Sequence, residues 1–106
     1  MTDPEILESL CEACRRLHDR NLLAAGDGNL SARLSDGRIA MTPAGVAKAW
    51  LRPEDFAHLA LDGRVLSGAP SSERLMHLAI FAACPEAQVV VHAHPPISTG
   101  YAVANI

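Results

Sequence analysis

Three side chains in the second half of the chain, Glu73, His92 and His94, have the chemistry of a reaction centre. Residues 89–94 read Val-Val-Val-His-Ala-His, a β-branched run that predicts a strand buried on at least one face. Side chains alternate along a strand, so His92 and His94 share one face while Val91 and Ala93 take the other. At roughly 3.3 Å per residue the two imidazoles stand about 6–7 Å apart at their roots, within reach of one ion held at about 2.0–2.1 Å from each nitrogen. A bare His-x-His more often closes a surface strand than holds a metal, so the pair needs support from elsewhere in the chain.

That support lies upstream. Pro70-Ser71-Ser72-Glu73 has the pattern of a helix start, with hydroxyls able to cap free N–H groups and an acid in the first turn. Leu75, Met76, Ala79, Ile80 and Ala83 then recur at helical spacing as an apolar stripe, and Pro85 ends the helix. A helix, a short turn and a strand form an α/β unit that can set a helix start beside a strand end. There Ser71 and Ser72 can offer hydroxyls and N–H groups to an anion, and Glu73 can serve as a general base or a metal ligand. The same residues also suit plain capping and compensation of the helix dipole. His77, one turn after Glu73 on the same face, reads as a core residue or a neighbour supporting the site.

The elements that would position these groups are legible in order. Asp3 as N-cap and Pro4 at the first helical position open a helix whose apolar face carries Ile6, Leu7, Leu10, Cys11, Cys14 and Leu17, to about Arg20. Cys11 and Cys14 form a Cys-x-x-Cys, but both fall on that apolar face and no second pair follows, so they read as core; Cys84 likewise reads as packing. Gly26-Asp27-Gly28-Asn29 is a loop. Leu30, Ala32 and Leu34, the turn pair Asp36-Gly37, and Ile39 with Met41 then predict a β-hairpin. Thr42-Pro43-Ala44-Gly45 follows, so Gly28-Asn29 and Ala44-Gly45 can meet at the open end of the hairpin as an anion cradle. A helical turn over residues 47–51 precedes a second hairpin, residues 56–66, that turns at Asp62-Gly63, with His58 on its solvent face. Residues 98–106 open another helix.

Composition narrows the class. The 106 residues suit one small domain, and 49% hydrophobic with 20% charged residues is the balance of a globular chain. A net charge of -3 and the lack of a Lys/Arg cluster argue against nucleic acid or an anionic membrane as partner. No apolar run approaches the ~20 residues of a membrane span and no signal-peptide pattern opens the chain, so the expected location is the cytoplasm. Three cysteines suit a reducing compartment.

Five motifs in order, Gly28-Asn29-Leu30-Ser31-Ala32-Arg33, Met41-Thr42-Pro43-Ala44-Gly45-Val46, Leu61-Asp62-Gly63, Pro70-Ser71-Ser72-Glu73 and Val91-His92-Ala93-His94-Pro95, resemble the class II aldolase/adducin family over nearly the whole chain. The resemblance implies a three-layer α/β/α fold around a mainly antiparallel sheet. Family members usually run to about twice this length, so residues 1–106 look like the N-terminal portion of one such domain. Carried over by position, the phosphate site falls on Gly28, Asn29, Ala44, Gly45, Ser71 and Ser72, the acid/base carboxylate on Glu73, and zinc or another divalent metal on His92 and His94, with Glu73 as a possible further ligand. Two departures bear on the substrate: Gly26-Asp27 puts an acid where relatives commonly carry Thr or Ser, and Ala44 lacks a hydroxyl that many have. The family's third zinc histidine has no counterpart within residues 1–106.

The chemistry so implied is metal-stabilised enediolate formation on a small sugar phosphate or related hydroxy-ketone, with reversible aldol cleavage as the expected reaction and epimerisation or dehydration as alternatives. The rivals are a non-catalytic, adducin-like scaffold, which has no need for Glu73, His92 and His94 together, and an inactive fragment that keeps the fold and only part of the metal site. The apolar segment that includes Tyr101, Ala102, Val103, Ala104 and Ile106 is expected to be buried against a further copy, in a homo-oligomer, or by more polypeptide. Little turnover is expected from these 106 residues alone.

Overall fold

The computed structural model describes residues 1–23 and 28–104. Helix α1 spans Asp3–Asp19, strands β1 and β2 span Asn29–Arg33 and Ile39–Met41, and short 3-10 turns cover Lys48–Trp50 and Pro53–Asp55. Strands β3 (Ala57–Leu59) and β4 (Val65–Ser67), helix α2 (Arg74–Ala83), strand β5 (Val89–His92) and helix α3 (Pro96–Ala104) complete the chain. The five strands form one sheet in the order β4-β3-β2-β1-β5, every pair antiparallel. The first 3-10 turn, both hairpins and their tight turns lie where the sequence puts them, and Gly37 and Gly63 carry the positive φ such turns require; His58, expected on the solvent face of the second hairpin, is instead half-buried with its Nδ1 enclosed.

A helix packs on each face of the sheet, which makes three layers, while β4 and the Val89 and Val91 side chains of β5 stay exposed. On one face Leu10, Cys11 and Cys14 of α1 pack with Leu30, Ala32, Ala40, Leu51 and Phe56. On the other, Leu78 and Phe81 of α2 pack with Ile39, Met41, Leu59 and Val90. Cys11 and Cys14 are buried free thiols, and burial pushes the Cys14 pKa up to about 11, so the Cys-x-x-Cys is core and not a nucleophile. Among the described residues no helix is long and apolar enough to cross a membrane.

Three local expectations are corrected. The N-cap of α1 is Thr2, not Asp3: Thr2 and Glu5 form a reciprocal capping box, and Asp3 instead accepts from the backbone N–H and hydroxyl of Ser35. Cys84 is exposed rather than packed. The larger correction is the rotation of α2. Leu75, Met76 and Ile80, read as its buried stripe, face outward, with Leu75 73% exposed, while His77, Leu78 and Phe81 face the sheet. Apolar residues surround this helix almost completely, so periodicity cannot choose a face. Polar partners on β1 choose it: His77 bonds to Ser31 and Asn29, and Arg33 donates to the carbonyl oxygens of Phe81 and Ala87 with its guanidinium 5.1 Å from the Phe81 ring centre.

Two measurements check this packing. Phe81→Ala is expected to cost about 3–5 kcal/mol by chemical denaturation, whereas Leu75→Ala should stay within about 0.5 kcal/mol; comparable losses at the two positions would refute the rotation of α2. Alkylation of the native chain should modify Cys84 and spare Cys11 and Cys14, and rapid labelling of Cys14 would contradict its burial.

Candidate active site

The candidate residues from four separate segments meet in one cleft. Gly28, Asn29, Ala44, Gly45, Ser71, Ser72, Glu73, His92 and His94 line it together with Pro43 and Lys48, and it encloses about 190 Å³. Sheet register begins the assembly: Asn29 of β1 is the cross-strand partner of His92 of β5, so the loop before β1 and the end of β5 lie side by side. Gly28 is required at that junction. Its φ is +81°, and a Cβ there would strike Leu23 and come within 2.9 Å of the His92 carbonyl oxygen.

Backbone bonds draw in the remaining loops. Thr42 exchanges with Leu30, its N–H donating to the Leu30 carbonyl at 3.0 Å and its hydroxyl oxygen accepting the Leu30 N–H at 3.2 Å. The Ser71 N–H donates to the Thr42 carbonyl at 3.2 Å, and the Ala44 N–H to the Ala69 carbonyl at 2.9 Å. The loop after β2 and the segment before α2 are thereby sewn together, which delivers Ser71, Ser72 and Glu73 to the cleft. Glu73 is the N-cap of α2 rather than part of its first turn, and its own N–H donates to the Ser71 hydroxyl oxygen at 3.2 Å.

These bonds sort the donors. The N–H groups of Ala44 and Ser71 are engaged within the protein, so Ala44 offers the cleft its wall and not its amide. Among the described residues the N–H groups of Gly28, Gly45 and Ser72 have no acceptor and remain for a ligand, as do the donor capacities of the two serine hydroxyls. Gly26 and Asp27, the departure noted above, lie outside the described residues.

At the other end of the cleft the His92 and His94 rings stand 4.9 Å apart between centres, on the same side of the chain. His94 lies just beyond β5, tethered by its N–H to the Leu22 carbonyl at 2.8 Å. The buried Nδ1 of His92 has no hydrogen-bond partner among the described residues. A buried ring nitrogen without a partner is costly unless something fills it, and two adjacent imidazoles are good donors for a zinc-like ion. The donor chemistry therefore fits a divalent metal at two positions. Glu73 shares the cleft, yet among the described residues no three His, Cys, Asp or Glu side chains come together as a ready-made metal cluster.

Lys48 is the residue that sequence reading passed over. It lines the cleft although it is only 2% exposed, and its ammonium donates to the Val46 carbonyl at 3.3 Å. It supplies the cationic side chain of the lining, opposite in sign to Glu73. The signal was weak, a single lysine in the Ala-Lys-Ala-Trp turn with an apolar neighbour on each side.

The family model for the class II aldolase and adducin N-terminal domain matches residues 8–106. The chain belongs to this family. It is 48% identical over 91 residues to methylthioribulose-1-phosphate dehydratase of Methylococcus capsulatus, covering 85% of this chain and 45% of that protein. It is 36% identical over 92 residues to an L-fuculose phosphate aldolase of Methanocaldococcus jannaschii, covering 87% of this chain and 50% of that one. The crystal structure of YgbL from Escherichia coli superposes with a TM-score of 0.88 at 33% identity, over 92% of this chain and 48% of that chain. The fold is thus the class II aldolase α/β/α fold, and the chain spans about half the length of the relatives it matches.

The cleft's charge balance generates a prediction. Lys48→Met is expected to weaken binding of inorganic phosphate about tenfold, the scale of one charge-assisted contact. An unchanged affinity in a phosphate titration would place the anion away from Lys48.

Proposed function

We propose that this chain is the N-terminal half of a metal-dependent lyase that acts on a small phosphorylated ketose or related hydroxy-ketone, with reversible aldol cleavage as its reaction. The observation behind this reading is the meeting, in one cleft, of three backbone N–H groups without an acceptor among the described residues, a lysine, a carboxylate and two adjacent imidazoles. Membership of a family whose named members include lyases supports it.

The residues divide the work by position. Gly28, Asn29, Gly45, Ser71, Ser72 and Lys48 hold the anionic end of the substrate with amide, hydroxyl and ammonium donors, and Ala44 shapes the wall. His92 and His94 would hold zinc or another divalent ion, which supplies Lewis-acid polarisation of a carbonyl when bound. Glu73, outside the pair of imidazoles and at the helix start, acts as the base that takes the proton beside the carbonyl and returns it. A carboxylate engaged permanently as a metal ligand would not be free for that transfer. Residues of the protein beyond this half would complete the coordination.

A specific observation favours a second reading within the same class. The 48% identical relative is named a dehydratase, and loss of water after proton removal uses the same anion grip, base and imidazole pair. Homo-oligomeric assembly and a cytoplasmic location belong to this proposal as well, as sequence expectations.

The test uses protein carrying this chain, loaded with zinc. His92→Ala and His94→Ala should each lower zinc content by metal analysis. Glu73→Gln should leave zinc bound while lowering turnover by about 10²–10⁴-fold. Cleavage of L-fuculose 1-phosphate against loss of water from methylthioribulose 1-phosphate separates the two readings. Absence of bound zinc in the unsubstituted protein would sink both and leave the scaffold.

A further inference from the structure

His77 has no part in the chemistry proposed above, yet it is completely enclosed beneath the cleft. Its ring sits between two side chains of β1, with Nδ1 on the Ser31 hydroxyl and Nε2 on the Asn29 carboxamide oxygen. Burial, reinforced by His92 and opposed by Glu73, pushes the His77 pKa down to about 4. The ring is therefore neutral near pH 7, with one donor nitrogen and one acceptor nitrogen.

Two proton arrangements satisfy such a ring. In the first, the Ser31 hydroxyl donates to Nδ1 and the Nε2–H donates to the Asn29 carbonyl oxygen, which leaves the Asn29 NH2 group for the cleft that Asn29 lines. In the second, the carboxamide is turned over, its N–H donates to Nε2, and the Nδ1–H donates to Ser31. That arrangement presents a carbonyl oxygen to the cleft and strands the Ser31 hydroxyl proton, because Ser31 is 0% exposed and its hydroxyl bonds only to His77 among the described residues. An unmet buried donor is costly, so the first arrangement prevails.

We propose that His77 is a positioning residue: held as its Nε2–H tautomer by Ser31, it fixes the Asn29 carboxamide with its NH2 group toward the cleft. Asn29 is then a donor by construction and favours an anionic oxygen over a cationic or donor group at that point. The orientation is set from below by two residues that never touch a ligand. The consequence for anion affinity rests on the phosphate-holding role proposed for this cleft.

The test separates the two. Nitrogen-15 spectra of the His77 ring at neutral pH should show a protonated Nε2 and an unprotonated Nδ1. Phosphate titration should then give His77→Gln, whose amide can still donate to the Asn29 oxygen, an affinity within about threefold of the unsubstituted chain, and His77→Leu a loss of about tenfold. A protonated Nδ1, or a glutamine variant as weak as the leucine variant, overturns the proposal. Should the leucine variant fail to fold, the tautomer in the unsubstituted chain decides alone. The Nε2–H tautomer without any phosphate binding would refute the anion cleft and leave the orientation of Asn29 standing; phosphate binding with an Nδ1–H ring would do the reverse.

Discussion

A polar ring buried without hydrogen bonds costs more than most apolar contacts return, and that constraint organises this half-domain around His77. The ring enters a layer otherwise filled by Ile39, Met41, Leu59, Leu78, Phe81 and Val90, and it finds its partners on one strand, Ser31 and Asn29 of β1. Satisfying it fixes the rotation of α2. Arg33, further along the same strand, holds the other end of the helix through the Phe81 and Ala87 carbonyl oxygens. With both ends of α2 tied to β1, its N-cap Glu73 has one place to be, at the mouth of the cleft beside the end of β5.

The same constraint explains what the sequence disclosed and what it concealed. Features whose cause is local were legible: the Asp36-Gly37 and Asp62-Gly63 turns, the loops at Gly28-Asn29 and Ala44-Gly45, and the strand that starts at Val89, though it stops at His92 rather than running on to His94. Their residue types are demanded by backbone conformation or by strand alternation, which act within a few positions. The buried face of α2 was not legible, because Leu75, Met76 and Ile80 are as apolar as Leu78 and Phe81, and the deciding partners sit more than forty positions away on β1. Lys48 escaped for a related reason. A lysine is ordinarily a surface residue, and only the closure of loops distant in sequence encloses this one. The cap of α1 turned on a single position: Thr2 and Asp3 are both good capping residues, and the reciprocal bond with Glu5 settles it in favour of Thr2.

Opposite charges placed at one cleft with different degrees of enclosure give the proposed reaction its polarity. Lys48 is enclosed, with its ammonium on the Val46 carbonyl, whereas Glu73 is exposed at the helix start. On the reading proposed here an enclosed cation holds the substrate's anionic end while an exposed carboxylate addresses the carbon beside the carbonyl.

On the proposed reading this half contributes an anion grip, a base and two imidazoles, and none of them distinguishes cleavage of a carbon–carbon bond from loss of water. Both pass through an enediolate beside a carbonyl whose far end is held still. Loss of water reaches it by taking the proton from the carbon next to the carbonyl and then expels the hydroxyl one carbon further on; cleavage reaches it by taking the proton of that hydroxyl and breaking the carbon–carbon bond, and the carbon next to the carbonyl is protonated afterwards. Relatives named as a dehydratase and as an aldolase can therefore share this half at 48% and 36% identity without sharing a reaction. On the proposed reading the choice between them falls to groups of the protein outside this half, because the residues gathered in the cleft serve both reactions alike.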